Sequence, residues 1–340
     1  MLKIEKHTND FVNDYTEKLY PYLSEKLKKA YNEKSYNILK SKKLKYTSEK
    51  QLLKVLKYIE DNLKDIISST PTELKEFCKK IDLKAGNTYR KSRTEQPYKL
   101  HAILNRIFVL DGYEYKICKS SRKEIAYQIV DKLKLKSCPY CNRNYISTYK
   151  KDEENKKSTR PQLDHFISKS KYPFLACSIY NLIPSCTTCN LLKSDDDDDE
   201  LINPFEFNSD SFNFNYKLNK DFSFGKISIE DIELNIQGIQ SNKKIFLLEE
   251  LYQGHKDIII DILNKTHSHS QSFINKSFDF KTSDDKELIS MEYIFESIYS
   301  EYLSKDEILK LLYNFELKKE NFHKRPLSKL TLDILTSIKK

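Results

Sequence analysis

Apolar residues along the chain fall into helical stripes in its first third and into alternation well past its midpoint. In QLLKVLKYIEDNLKDII, Leu52, Leu56, Ile59, Leu63 and Ile66 recur at steps of four and three, with Lys, Glu and Asp on the other face. That spacing predicts one amphipathic helix. Thr70-Pro71-Thr72-Glu73 then supplies an N-cap, a proline at the first helical position and a returning carboxylate, so a second helix should start there and run to about Gly86. A similar box, Ser121 to Glu124, leads Ile125, Ile129 and Leu133 along one face. Further on, FNFNYKL alternates Phe212, Phe214, Tyr216 and Leu218, and GKISIEDIELNIQGI continues the period of two, which predicts a few antiparallel strands. Helices return in KIFLLEELYQGHKDIIIDILNK and after Ser304-Lys305-Asp306-Glu307. No internal repeat is visible, and the fold class expected is α+β, mostly helical.

Composition narrows the class. The 340 residues are 39% hydrophobic and 32% charged, and no window approaches the roughly 20 apolar residues a membrane span needs. The start, MLKIEKHTNDF, lacks the apolar core of a signal peptide. A reducing cytoplasm is therefore expected, where the seven cysteines serve as metal ligands or buried thiols rather than disulfides. The net charge of +9 is uneven: residues 1–130 hold 28 Lys/Arg against 17 Asp/Glu, and the rest of the chain is nearly balanced. Such a basic arm raises affinity for nucleic acid without reading sequence; solvated lysine-rich helix faces account for it equally well.

The cysteines carry the first chemical signal. CPYC is followed, after 44 intervening residues, by CTTC. Each C-x-x-C turn can present two thiolates to one metal, and two such turns complete the closed tetrahedral shell of structural zinc. Cys138, Cys141, Cys186 and Cys189 are thus the expected zinc ligands, while Cys78, Cys118 and Cys177 have no partner at ligand spacing and read as core residues.

Between the knuckles, Asp164 and His165 pair a hard oxygen ligand with an imidazole able to take a proton from water. Neighbours on a regular strand point to opposite faces, so both can serve one phosphate only if the strand ends or bends there. Asn190 directly follows the last zinc thiolate. A closed zinc site would fix its amide as a second oxygen ligand; alone, the same amide reads as a helix cap.

Together, CPYCN, LDHF, YNLIPSCTTCN and the following Lys193 resemble an HNH endonuclease of the ββα-metal (His-Me finger) class, in its four-cysteine zinc-knuckle branch, over about residues 135–193. The resemblance implies a ββα finger in which Asp164 and Asn190 hold a catalytic Mg²⁺ or Mn²⁺. His165 is the implied general base, and Asn181 the structural asparagine that bonds backbone in the loop after His165. The final metal position is often His in this class, and Asn is also used in the zinc-knuckle branch. Arg143, Lys169, Lys171 and Lys193 are nearby cations suited to phosphates. The longer string LDHFISKSKYPFLACSIYNLIPSCTTCN is similar to HNH subunits of Septu-type anti-phage defence systems, implying DNA, most simply double-stranded, and an ATPase partner. The organisation expected is a basic helical region over 1–134, the finger over 135–205, and an α+β region over 206–340. Two rivals stand beside DNA cleavage: a non-catalytic zinc module that binds nucleic acid or protein, and an HNH nuclease acting on RNA.

Other features read as scaffold. SDDDDDE, residues 194–200, is expected to be a solvated loop. His255 reads as a packed or surface histidine, and His267 and His269 as a polar loop. RPLSKLTLDIL is expected to pack against the finger, and most of the 23 tyrosines to edge the core.

Overall fold

The computed structural model describes residues 1–32, 45, 47–86, 98–119, 124–150, 158–196, 198, 200–221, 223, 225–268 and 305–338. Their contacts divide the chain into two units: a larger one from residues 3–135 and 146–207, and a smaller one from residues 1–2, 136–145 and 208–340. The expected boundary near residue 135 falls at the edge of a unit, but residues 135–205 do not stand apart. Residues 136–145 belong with the C-terminal half and the remainder of that segment with the N-terminal half.

In the larger unit, α1 (Asn9–Asn32) buries Phe11, Tyr15, Leu19, Leu23 and Leu27, a stripe at steps of four that lies on one helix face. The stripe beginning at Leu52 forms two helices rather than one, α2 (Glu49–Asp61) and α3 (Leu63–Ser68). Asn62 makes the break. Its side-chain amide donates to the Tyr58 carbonyl at 2.8 Å, a local bond that competes with helix propagation, while Leu52, Ile59, Leu63 and Ile66 stay buried on either side. Helix α4 (Pro71–Ala85) starts at the expected capping box, with the Thr70 amide donating to Glu73 at 2.7 Å, and ends at Gly86, whose φ of 55° suits glycine.

Helix α5 (Lys99–Leu104) runs into a π-helix, Asn105–Lys119, which no periodicity announced. Gly112 lies within it, and a Cβ there would come 2.6 Å from the Cys177 sulfur. Helix α6 (Glu124–Leu133) follows; Ser121 of its expected capping box lies outside the described residues. Strands β1 (Gln162–His165) and β2 (Leu182–Ser185) pair antiparallel, with Asp164 opposite Ile183 and His165 opposite Leu182. Helix α7 (Thr187–Lys193) comes directly after β2.

His7 is a buried cost in this unit. Its ring sits 5.0 Å from Phe11, 5.8 Å from Phe205 and 5.9 Å from Tyr180, and neither ring nitrogen has a hydrogen-bond partner. Burial lowers its pKa to about 4, below the ordinary value near 6.5. The unfolded chain therefore binds this proton at higher pH than the folded one. The neutral form's contribution is complete above about pH 6.5 and is lost as pH falls toward 4, on the order of 3 kcal/mol in total. Urea unfolding at pH 7.5 and pH 5 should show wild type losing more stability on acidification than His7→Phe.

The smaller unit holds β3 (Asn213–Leu218) and β4 (Ile232–Gln237), an antiparallel pair registered from Asn213 opposite Gln237 to Leu218 opposite Ile232. Ile232, Leu234 and Ile236 are buried and their neighbours exposed, the alternation expected of a half-buried strand. The helical stretch after β4 is three pieces, α8 (Gln240–Ile245), α9 (Leu248–Gln253) and α10 (Lys256–Ser268), divided at Leu247, in the left-handed region with φ 45°, and at Gly254. Helices α11 (Lys305–Tyr313) and α12 (Ser328–Ile338) follow, and α12 packs on β3. Ser304 and His269 lie outside the described residues. The segment around Arg325–Lys329 packs on the loop of the first knuckle: Asn142 donates to the Arg325 carbonyl at 3.2 Å and accepts from the Leu327 amide at 2.6 Å. No described helix is long and apolar enough to cross a membrane.

Candidate active site

Cys138, Cys141, Cys186 and Cys189 are all buried, and their sulfur atoms all lie within 4.8 Å of one another. None of the seven cysteines is in a disulfide. Each knuckle folds back on a sulfur: the Arg143 amide donates to Cys141 Sγ at 3.4 Å, and the Cys189 amide to Cys186 Sγ at 3.5 Å. Such N–H groups favour the thiolate form. Four sulfurs at this separation fit around one tetrahedral ion with metal–sulfur bonds of about 2.3 Å. Cys78, Cys118 and Cys177 stand apart from this cluster among the described residues.

A second site is built on β1, β2 and α7. β1 stops at His165, so Asp164 and His165 both border one cavity of about 400 Å³, which Asn190 of α7 also lines. Asp164 is 3% exposed and His165 7%. Directly after β1, Asn181 ties the chain down. Its Oδ1 accepts from the Ile167 amide at 2.6 Å, and its Nδ2 donates to the carbonyls of Ile167 at 3.0 Å and Leu175 at 3.1 Å. Asn181→Ala takes this partner from the Ile167 amide and carbonyl, while the Leu175 carbonyl keeps the Ser178 amide at 3.1 Å; the change should cost about 2 kcal/mol, read as a lower urea midpoint.

The imidazole of His165 is set by its neighbours. Nε2 lies 3.1 Å from the Ala176 carbonyl; a carbonyl only accepts, so Nε2 carries the hydrogen and Nδ1 the lone pair. Burial, with the ammonium groups of Lys169 and Lys193 adding to it, holds its pKa well below the usual histidine value, against a smaller opposing effect of the Ala176 carbonyl. The ring is thus neutral at physiological pH and carries its lone pair on Nδ1. Tyr113, from the π-helix, meets it edge-on at 4.3 Å and donates to the Leu163 carbonyl at 3.1 Å. Asn190 donates to Gln162 Oε1 at 2.7 Å, which leaves its own amide oxygen as an acceptor.

The four cations expected to meet phosphate fare differently. Lys169 lines the cavity, with its ammonium 4.7 Å from the Tyr113 ring centre. Lys171 is half-buried and does not line it. Arg143 is not in this site: it donates to His255 Nε2 at 3.0 Å and lies over the Tyr252 ring. His255 is accordingly a packed acceptor, with its pKa lowered by burial and by Arg143. Lys193 is no surface charge. It is fully buried, donating to the His165 carbonyl at 2.8 Å and lying 3.6 Å from Asp164 Oδ2, so it cannot meet a nucleic acid.

Sequence reasoning missed Tyr113 and Arg160, both on the cavity wall. Arg160 donates to the Pro161 carbonyl at 2.8 Å and to Cys118 Sγ at 3.3 Å; its only signal was a basic residue four places before Asp164. Asp195 of the acidic run also reaches the cavity and accepts from the Ser168 hydroxyl at 3.1 Å, so the run's first carboxylate is part of the wall rather than of a solvated loop. No family model, curated protein or solved structure matches the chain.

Proposed function

We propose that this chain is a metal-dependent HNH endonuclease that hydrolyses DNA phosphodiester bonds on a zinc-bound scaffold. The observation that carries the reading is the meeting of Asp164, His165 and Asn190 on one cavity, with the His165 tautomer fixed by Ala176. A binding module needs the four thiols and has no use for a neutral, lone-pair-bearing imidazole beside a buried carboxylate.

In this reading Zn²⁺ takes Cys138, Cys141, Cys186 and Cys189. Mg²⁺ or Mn²⁺ takes Asp164 and Asn190, whose oxygens suit a hard cation. The bound divalent ion would neutralise charge that builds on the phosphate and its leaving oxygen. His165 accepts a proton from water through Nδ1, the nitrogen that Ala176 leaves bare, and the water oxygen becomes the nucleophile at phosphorus. The Ala176 carbonyl keeps the ring from turning as it gains charge. Asn181 holds the loop behind the base. Arg160 and Lys169, on the cavity wall, are the cations placed to bind the phosphate, in the roles first given to Arg143 and Lys193. The anti-phage role with an ATPase partner belongs to the same proposal and rests on the motif string alone.

Incubating matched DNA and RNA duplexes with the protein in Mg²⁺ and in EDTA tests this reading. Cleavage of DNA in Mg²⁺ alone is expected. Cutting confined to RNA would move the substrate, and binding without cutting by zinc-loaded protein would favour the binding module.

A further inference from the structure

A lysine with no exposed surface is unusual, because burying an ammonium costs several kcal/mol unless its surroundings repay it. Lys193 is such a residue. It stands in the last turn of α7, one turn beyond Asn190, and reaches back to β1. There it donates to the His165 carbonyl at 2.8 Å, lies 3.6 Å from Asp164 Oδ2, and has the Phe166 ring 5.9 Å away. One side chain thereby joins the strand carrying Asp164 and His165 to the helix carrying Asn190.

We propose that Lys193 is a positioning residue. It sets the span between the carboxylate of Asp164 and the amide of Asn190, with its ammonium 3.6 Å from Oδ2 steadying that carboxylate. The inference rests on the endonuclease reading, because it needs Asp164 and Asn190 to share an ion.

Two effects of removing the ammonium have opposite signs, and this makes the inference testable. A positive charge beside a metal ligand repels the metal, so by Coulomb's law alone its removal should tighten cation binding. If the ammonium instead orients the ligands, its removal should loosen binding, as loss of a supporting partner usually does, by roughly 10- to 100-fold.

The experiment is Mn²⁺ binding at pH 8, followed by electron paramagnetic resonance, on the whole chain as wild type, Asp164→Asn and Lys193→Met. Far-UV circular dichroism and thermal melting are recorded for each. Methionine keeps the length and volume of the side chain without its charge or hydrogen bonds. Expected are an Asp164-dependent site in wild type and a loss of Mn²⁺ affinity of at least roughly ten-fold in folded Lys193→Met. A merely structural lysine would shift the melt and leave Mn²⁺ affinity where it was. Equal or tighter binding in Lys193→Met, with the wild-type site intact, overturns the positioning role and leaves the endonuclease reading standing. No Asp164-dependent site in wild type overturns both. Should Lys193→Met fail to fold, Lys193→Gln removes the same charge and carries the same prediction.

Discussion

On the endonuclease reading, His165→Ala should lower metal-dependent DNA cleavage by about 10³-fold, the middle of the range for losing a positioned general base. Two features of the site support an effect of this size. The ring's Nε2 is committed to Ala176, so Nδ1 is its one proton-accepting atom, and among the described residues no second histidine lines the cavity. Among the other residues on that wall, Asp164 is engaged with Lys193, and Tyr113 has its phenol pKa pushed far up by burial. Neither can replace the imidazole. Removing the ring takes away one hydrogen bond and an aromatic edge, so melting temperature and zinc content should change far less than the rate. Initial rates of plasmid nicking at matched protein concentration, with melts and metal analysis on the same samples, check the prediction. A variant that cuts within ten-fold of wild type would mean that another group removes the proton.

With zinc on the four sulfurs as proposed, Cys189→Ser should empty that site and destabilise the fold by several kcal/mol, on the order of 5, because a structural zinc contributes its binding free energy to folding. Cys189 has no exposed surface and sits in the first turn of α7, its amide directed at Cys186 Sγ. Asn190 follows it directly, and Lys193 lies one turn further on. Loss of the ion should therefore loosen the helix that presents both, and cleavage should fall together with stability. Mass spectrometry for zinc should give about one ion per wild-type chain and a residue-level trace in Cys189→Ser. Cys78→Ser, on α4 and outside the sulfur cluster, should retain zinc, which separates this effect from the general cost of altering a buried thiol.

The parts of this site that rest on spacing were legible in the sequence. The two C-x-x-C turns pointed to four cysteines that the fold does bring within 4.8 Å of one another, and a strand ending at His165 is what lets Asp164 and His165 border one cavity. Local capping was legible too, as Thr70 and Glu73 show, because every atom involved lies within a few residues. What escaped depends on tertiary geometry. Tyr113 reaches His165 from 52 positions upstream on a π-helix, a form of helix that hydrophobic periodicity does not register. Lys193 read in the sequence as a cation suited to phosphate, yet the antiparallel pair beside it has the Asp164 carboxylate and the His165 carbonyl where its ammonium can reach them. Arg143 looked close to the site by sequence but packs with His255 and Tyr252. The break at Asn62 was invisible because the apolar stripe passes through it unchanged, while the side-chain bond that ends the helix points elsewhere.

Supercoiled plasmid incubated with purified protein, in Mg²⁺ and in EDTA, tests the central claim most directly when zinc is quantified in the same preparations. The expected result is conversion to open-circular or linear product in Mg²⁺, none in EDTA, and zinc retained in both. Zinc-loaded, folded protein that leaves the plasmid intact in Mg²⁺ and Mn²⁺, or that cuts it equally well in EDTA, would contradict the assignment of Asp164, His165 and Asn190 to metal-dependent hydrolysis.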